Sequence, residues 1–187
     1  MKILDIKKTE EFLPFFNELV QSNKKIALLI AILALCLAIT ETLSKAYQTE
    51  VITKQVEASN LWAFFQAKSV RKTSTELALE SIKTLAPAND EKSEALINKW
   101  SAAVKRYDTE PETGEGRKEL AARAKKAEQL GNIANHKYHN FEIASGMLQV
   151  AIVLASASII TAVGLLGMLS GGLGFVAVGF SIYAMFF

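Results

Sequence analysis

Apolar and polar residues separate along this chain into long blocks. The last block, residues 143–187, contains no Asp, Glu, Lys, Arg or His. A bilayer core takes about 20 apolar helical residues per crossing, so this block fits two spans joined by a tight turn. The glycine-rich run 167–174 (Gly-Met-Leu-Ser-Gly-Gly-Leu-Gly) is the expected turn. Residues 26–43 form an earlier apolar block and predict a first span. Charge avoids such segments because a Lys, Arg or Asp at mid-bilayer costs roughly 3 kcal/mol.

Between these blocks the pattern is helical. From residue 15 to residue 86 there is neither Pro nor Gly, which allows one helix to continue out of the first span to about Leu85. Pro87 stops it, Asn89 or Asp90 can cap a second helix through about Tyr107, and the acidic, turn-rich run 108–116 ends that one. A third helix should begin near Arg117 and enter the second span. Along it, Leu120, Ala124, Ala127, Gly131, Ala134, Tyr138, Phe141, Ser145 and Leu148 follow alternating steps of four and three, the heptad seam of a coiled coil. Most of these residues are small and let two backbones approach closely. The expected partner is the outgoing helix, whose Val56, Ala63, Val70 and Leu77 repeat every seven residues.

The predicted fold class is therefore an all-α membrane protein, with three transmembrane helices and a long antiparallel coiled-coil-like helical hairpin between the first and second spans. Its expected parts are an amphipathic, interfacial segment (1–25), a first transmembrane helix (26–43), an extramembrane stalk (44–142, with helices about 44–85, 90–107 and 117–142) and a transmembrane hairpin (143–187). In the N-terminal segment, Phe12, Leu13, Phe16, Leu19 and Val20 make one apolar stripe on a helix begun near Pro14. That stripe can lie in the headgroup layer or pack on protein. The first span reads as an uncleaved anchor. A tail of 23 residues precedes Lys24, no small-x-small cleavage site follows the span, and Leu35 precedes Cys36 where a lipoprotein needs a small residue. Cys36 is the only cysteine and has no intrachain disulfide partner.

Charge and chemistry add exclusions. The formal net charge is +2, and no basic stripe of the kind that binds nucleic acid stands out. No cofactor or catalytic motif is present, and no metal ligand set is assigned. Trp62, Phe64 and Phe65 are too dense for one seam, because successive helical residues point about 100 degrees apart. Covering them calls for a second copy of the chain, making a homo-oligomer, or for the tip helix with Leu96, Ile97, Trp100 and Val104 to fold back. Ala127, Ala134 and Tyr138 are packing candidates in the stalk. Gly167 and Gly171 are their counterparts in the membrane, alongside Ala151, Ala155, Ser158 and Ala162. His136, His139 and Glu142 share a helical face at three-residue steps and form a weak polar site. Zinc sites on one helix more often use four-residue histidine spacing. Glu41, at the end of the first span, reads as a carboxylate reaching water.

Two segments carry a family resemblance. Glu57-Ala-Ser-Asn-Leu-Trp-Ala-Phe-Phe-Gln-Ala-Lys-Ser-Val-Arg71, after the first span, resembles the signature of a bacterial membrane family, domain of unknown function 4337. His136-Lys-Tyr-His-Asn-Phe-Glu142, running into Leu148-Gln-Val-Ala-Ile-Val-Leu-Ala-Ser-Ala, resembles that family's entry into its second span. The resemblance implies a bacterial inner-membrane protein with one large extramembrane loop and no assigned activity. Similar proteins often have basic residues between the last two spans; this chain has none there.

Orientation then rests on Lys24 and Lys25 against the balanced pair Glu41 and Lys45. The expectation is a cytoplasmic N-terminus, a periplasmic loop 44–142 and Phe187 on the periplasmic side of the inner membrane. The leading functional expectation is a non-catalytic scaffold or accessory protein that self-assembles in the lipid bilayer or supports a larger membrane complex. A subunit of an oligomeric channel or transporter is the alternative, and a metal-dependent periplasmic enzyme is the third class.

Overall fold

The computed structural model describes residues 23–86 and 90–186. The stripe expected on Phe12, Leu13, Phe16, Leu19 and Val20, the stop at Pro87, the candidate cap Asn89 and the terminal Phe187 lie outside them. Among the described residues the chain is all-helical, in the order α1 (Ile3–Leu85), α2 (Glu91–Asp108), α3 (Arg117–Thr161) and α4 (Gly164–Phe186). Three stretches, Asn23–Leu85, Arg117–Thr161 and Gly164–Phe186, are long and apolar enough to cross a membrane.

Helix boundaries follow local chemistry. Asp90 caps α2 by accepting from the Ser93 backbone N–H at 3.2 Å and from the Ser93 hydroxyl at 2.5 Å. These bonds hold its carboxyl below the usual range, the hydroxyl bond contributing most. At the far end of α2, the Thr109 N–H returns to the Lys105 carbonyl at 3.0 Å. Gly114 then takes φ +69°, and Gly116 leads into α3. A Cβ on Gly116 would strike the Glu119 carboxylate and the Glu110 backbone nitrogen, so only glycine fits there.

The turn between the last two spans is not the glycine run 167–174. It lies at Ala162 and Val163, and the glycines belong to α4. Ala162 reverses the chain with φ +56°, a left-handed conformation that costs an L-residue about 1 kcal/mol. Hydroxyls hold this bend: Ser158 donates to the Val163 carbonyl at 3.0 Å, and the Val163 N–H reaches Thr161 Oγ1 at 3.4 Å. Placing the turn earlier leaves each helix enough uncharged residues for a span, and the glycines become contact surface instead of punctuation.

The chain divides into two compact units, Met1–Gln48 with Asn135–Phe187, and Thr49–Ala134. The first contains the apolar ends of α1 and α3 together with α4. Its core joins Leu33, Leu148, Ala151 and Ala177, with Leu29, Cys36, Leu37 and Leu173 packed alongside. The second contains α2 and the remaining parts of α1 and α3. Its core is Ala58, Leu61, Leu120, Ala124 and Ala127, with Trp62 and Phe65 packed against it.

Candidate functional site

In the unit Thr49–Ala134, α1 and α3 run antiparallel and touch through one seam each. On α3 the buried residues are Leu120, Ala124, Ala127, Gly131 and Ala134. A Cβ on Gly131 would lie 3.3 Å from Lys54 Cβ, which shows how closely the two helices approach. On α1 the inward positions Val51, Lys54, Ala58, Leu61 and Phe65 are followed, beyond the start of α3, by Lys68, Lys72, Thr75, Leu79 and Ile82, all buried or half-buried and again spaced by alternating threes and fours. This corrects the register expected for α1: Val56, Ala63, Val70 and Leu77 face outward and are exposed. The inward seam was obscured because it carries three lysines. Their stems lie along the interface while their ammonium groups reach carboxylates, as amphipathic side chains do.

The carboxylates sit at the exit of α2 and in the loop that follows. Asp108 Oδ1 accepts from Lys72 Nζ at 2.9 Å and from Arg117 Nη1 at 3.4 Å, while Lys118 Nζ lies 3.1 Å from Oδ2. The Lys72 hydrogen bond, then that of Lys118, pulls the Asp108 carboxyl down to about 2. Lys68 lies 3.5 Å from Glu110 and 3.9 Å from Glu115, with its ammonium 5.7 Å from the Tyr107 ring centre. Glu119, in the first turn of α3, accepts from the Thr109 hydroxyl at 2.6 Å and from the Glu110 N–H at 3.2 Å, and the Thr109 bond leads in lowering its pKa. The loop is thus tied to both long helices by ion pairs and caps.

The aromatic trio divides. Trp62 and Phe65 meet edge to face at 5.4 Å and 85°, and the Trp62 indole N–H donates to Glu128 Oε1 at 2.7 Å. The Arg117 guanidinium covers the Phe65 ring at 5.2 Å. Both rings therefore have partners inside the chain, Glu128 of α3 for Trp62 and Arg117 of its first turn for Phe65. Phe64 points away and is 63% exposed. A cleft of about 380 Å³ beside it is lined by Lys68, Arg71, Glu115 and Arg123. Three of these are already engaged, Lys68 with the loop carboxylates, Glu115 among them, and Arg123 with the Gly114 carbonyl at 3.3 Å.

In the other unit, the α3 seam continues through Phe141, Ser145 and Leu148, with Ala144, Ala151, Ala155 and Ser158 also buried. Tyr138 is half-buried, and its hydroxyl donates to Glu142 at 3.3 Å; the neighbouring carboxylate raises the phenol pKa. Phe141 stacks on Tyr47 at 5.6 Å, and Lys137 lies over the Tyr47 ring while donating to the Met185 carbonyl at 3.3 Å. Among the buried hydroxyls here, Thr40 pairs with Ser181 at 3.2 Å, and Ser170 donates to the Ala151 carbonyl at 2.7 Å. Glu41 accepts from Gln149 at 3.1 Å.

On α4 the packed face is Ser170, Gly174, Ala177 and Ala184. Gly167 sits 3.1 Å from Ser158, measured from an added Cβ, whereas Gly171 has open space around it. The packing role expected at Gly171 therefore falls to Gly174, where a Cβ would collide with Leu33. Four-and-three spacing from Ser170 through Gly174, Ala177, Ser181 and Ala184 was the available signal, hidden by assigning that stretch to a turn. His136 and His139 are both exposed, with His139 Nδ1 3.7 Å from Glu142. No group of three His, Cys, Asp or Glu side chains suited to a metal occurs among the described residues.

Comparison with known proteins returns one family. The description Domain of unknown function (DUF4337) matches residues 22–187, most of the chain, and the chain belongs to that family. No curated protein and no solved structure matches it.

Proposed function

We propose that this member of the DUF4337 family is a non-catalytic scaffold or accessory protein of the bacterial inner membrane, which self-assembles through its helical hairpin and the small-residue contacts of its spans. The observation that carries this reading is the way its apolar helices are filled. From residue 143 to residue 187 there is no Asp, Glu, Lys, Arg or His. The buried polar side chains Thr40, Ser158 and Ser170 bond to neighbouring helices or to the turn, as helix-to-helix glue does. A transporter or selective channel keeps polar or charged groups along its path at membrane depth. Catalysis is left out because His136 and His139 are exposed and His139 pairs within its own helix. Lys24 and Lys25 before the first span support a cytoplasmic N-terminus and a periplasmic loop 44–142.

The test is an ion-flux assay on purified protein in proteoliposomes. The scaffold reading predicts flux equal to empty vesicles. A reproducible conductance altered by substitutions at Thr40 or Ser170 would establish a channel subunit in its place.

A further inference from the structure

Helix α1 carries a second heptad seam on the side away from α3. Starting at Ile52, the positions Val56, Ser59, Ala63, Gln66, Val70, Thr73 and Leu77 advance by alternating fours and threes, and every one is exposed. In the repeat that packs α1 against α3 these places point outward and are ordinarily charged. Here Val56 is 54%, Val70 66% and Leu77 60% exposed.

The charge on this stretch is confined elsewhere. Between residues 52 and 77 the charged side chains are Lys54, Glu57, Lys68, Arg71, Lys72 and Glu76, none of them in the second seam. Lys54 pairs with Glu57, while Lys68 and Lys72 serve the loop carboxylates. Across the hairpin, α3 exposes Lys125 and Lys126 on its outward side and Arg123 and Glu128 at the edges of its seam, so the missing charge belongs to one face and not to the whole unit.

We infer that this outward seam of α1 is the self-association surface of the protein, and that its occupant is the same seam of a second copy, parallel and in register. A 3.5-residue repeat fits only another helix carrying the same repeat. Two copies of an uncharged face meet without placing like charges together, whereas a charged partner would find no complement on it. Copies anchored in one bilayer by α1 run in the same direction, and in register Gln66 meets Gln66, whose amides can donate and accept reciprocally. This inference rests on the reading of the chain as a self-assembling membrane protein.

The test is disulfide trapping of the full chain in native membranes on a Cys36→Ser background. Ala63→Cys and Val70→Cys should each give a covalent dimer on mild oxidation, and Lys125→Cys on the charged side of α3 should not. A dimer at only one of the two α1 sites would overturn the parallel register, and equal trapping at Lys125→Cys would overturn the surface. If neither α1 site traps while native mass still shows several copies, this surface is wrong and self-assembly stands; a single-chain mass would sink both. As a second measurement, Ala63→Glu with Val70→Glu, both at exposed positions, should abolish the multimer while leaving helical content unchanged. A multimer that survives this pair also overturns the surface.

Discussion

Leu33 fills the space beside Gly174: a Cβ at Gly174 would collide with the Leu33 side chain, which is 3% exposed and enclosed by α3 and α4. Gly174→Leu should therefore lower thermal stability in detergent by about 1–3 kcal/mol, the usual cost of overpacking. Gly179→Leu is the control, since open space surrounds Gly179. Equal losses for the two would refute the contact.

Ala162 turns the chain with a positive φ that glycine adopts freely. Ala162→Gly should raise stability by roughly 1 kcal/mol, read as a higher melting temperature. A lower one would mean the turn lies elsewhere.

Asp108 supplies a pH signature. Its folded-state pKa is depressed to about 2 by Lys72 and Lys118, while an unfolded Asp titrates near ~3.9. Folding is thus favoured above the unfolded value, and that contribution disappears as pH falls through the window between about 4 and about 2. Asp108→Asn should reduce the pH dependence of melting in that window. An unchanged slope would show that the ion cluster does not contribute.

Trp62 and Phe65 pack within the hairpin, so Trp62→Ala with Phe65→Ala should lower melting while leaving the multimer's mass unchanged. Each loss should fall below the roughly 3–5 kcal/mol of a fully buried aromatic, because both rings are only partly covered. A lower mass with unchanged melting would move these rings to a contact between copies.

The α3 seam from Leu120 to Leu148 was legible because small and apolar residues recur without interruption. The partner seam on α1 was not, since Lys54, Lys68 and Lys72 occupy inward positions and only tertiary pairing reveals where their ammonium groups go. Val56, Ala63, Val70 and Leu77 looked like the buried line because they are the apolar heptad. Burial follows the available neighbour, and α3 takes the lysine-bearing side. Glycine likewise misled at 167–174, where it serves close approach instead of a turn. For the candidate site, helical spacing alone sets Trp62 and Phe65 on one face and Phe64 on another, as the structure has them; which groups cover the pair depends on where α3 begins.

Whether the protein assembles with itself in the membrane is read from native mass spectrometry of the full chain released from native membranes. One dominant species at an integer multiple, two or more, of the chain mass is expected, and a dominant single-chain mass at every detergent concentration would overturn self-assembly.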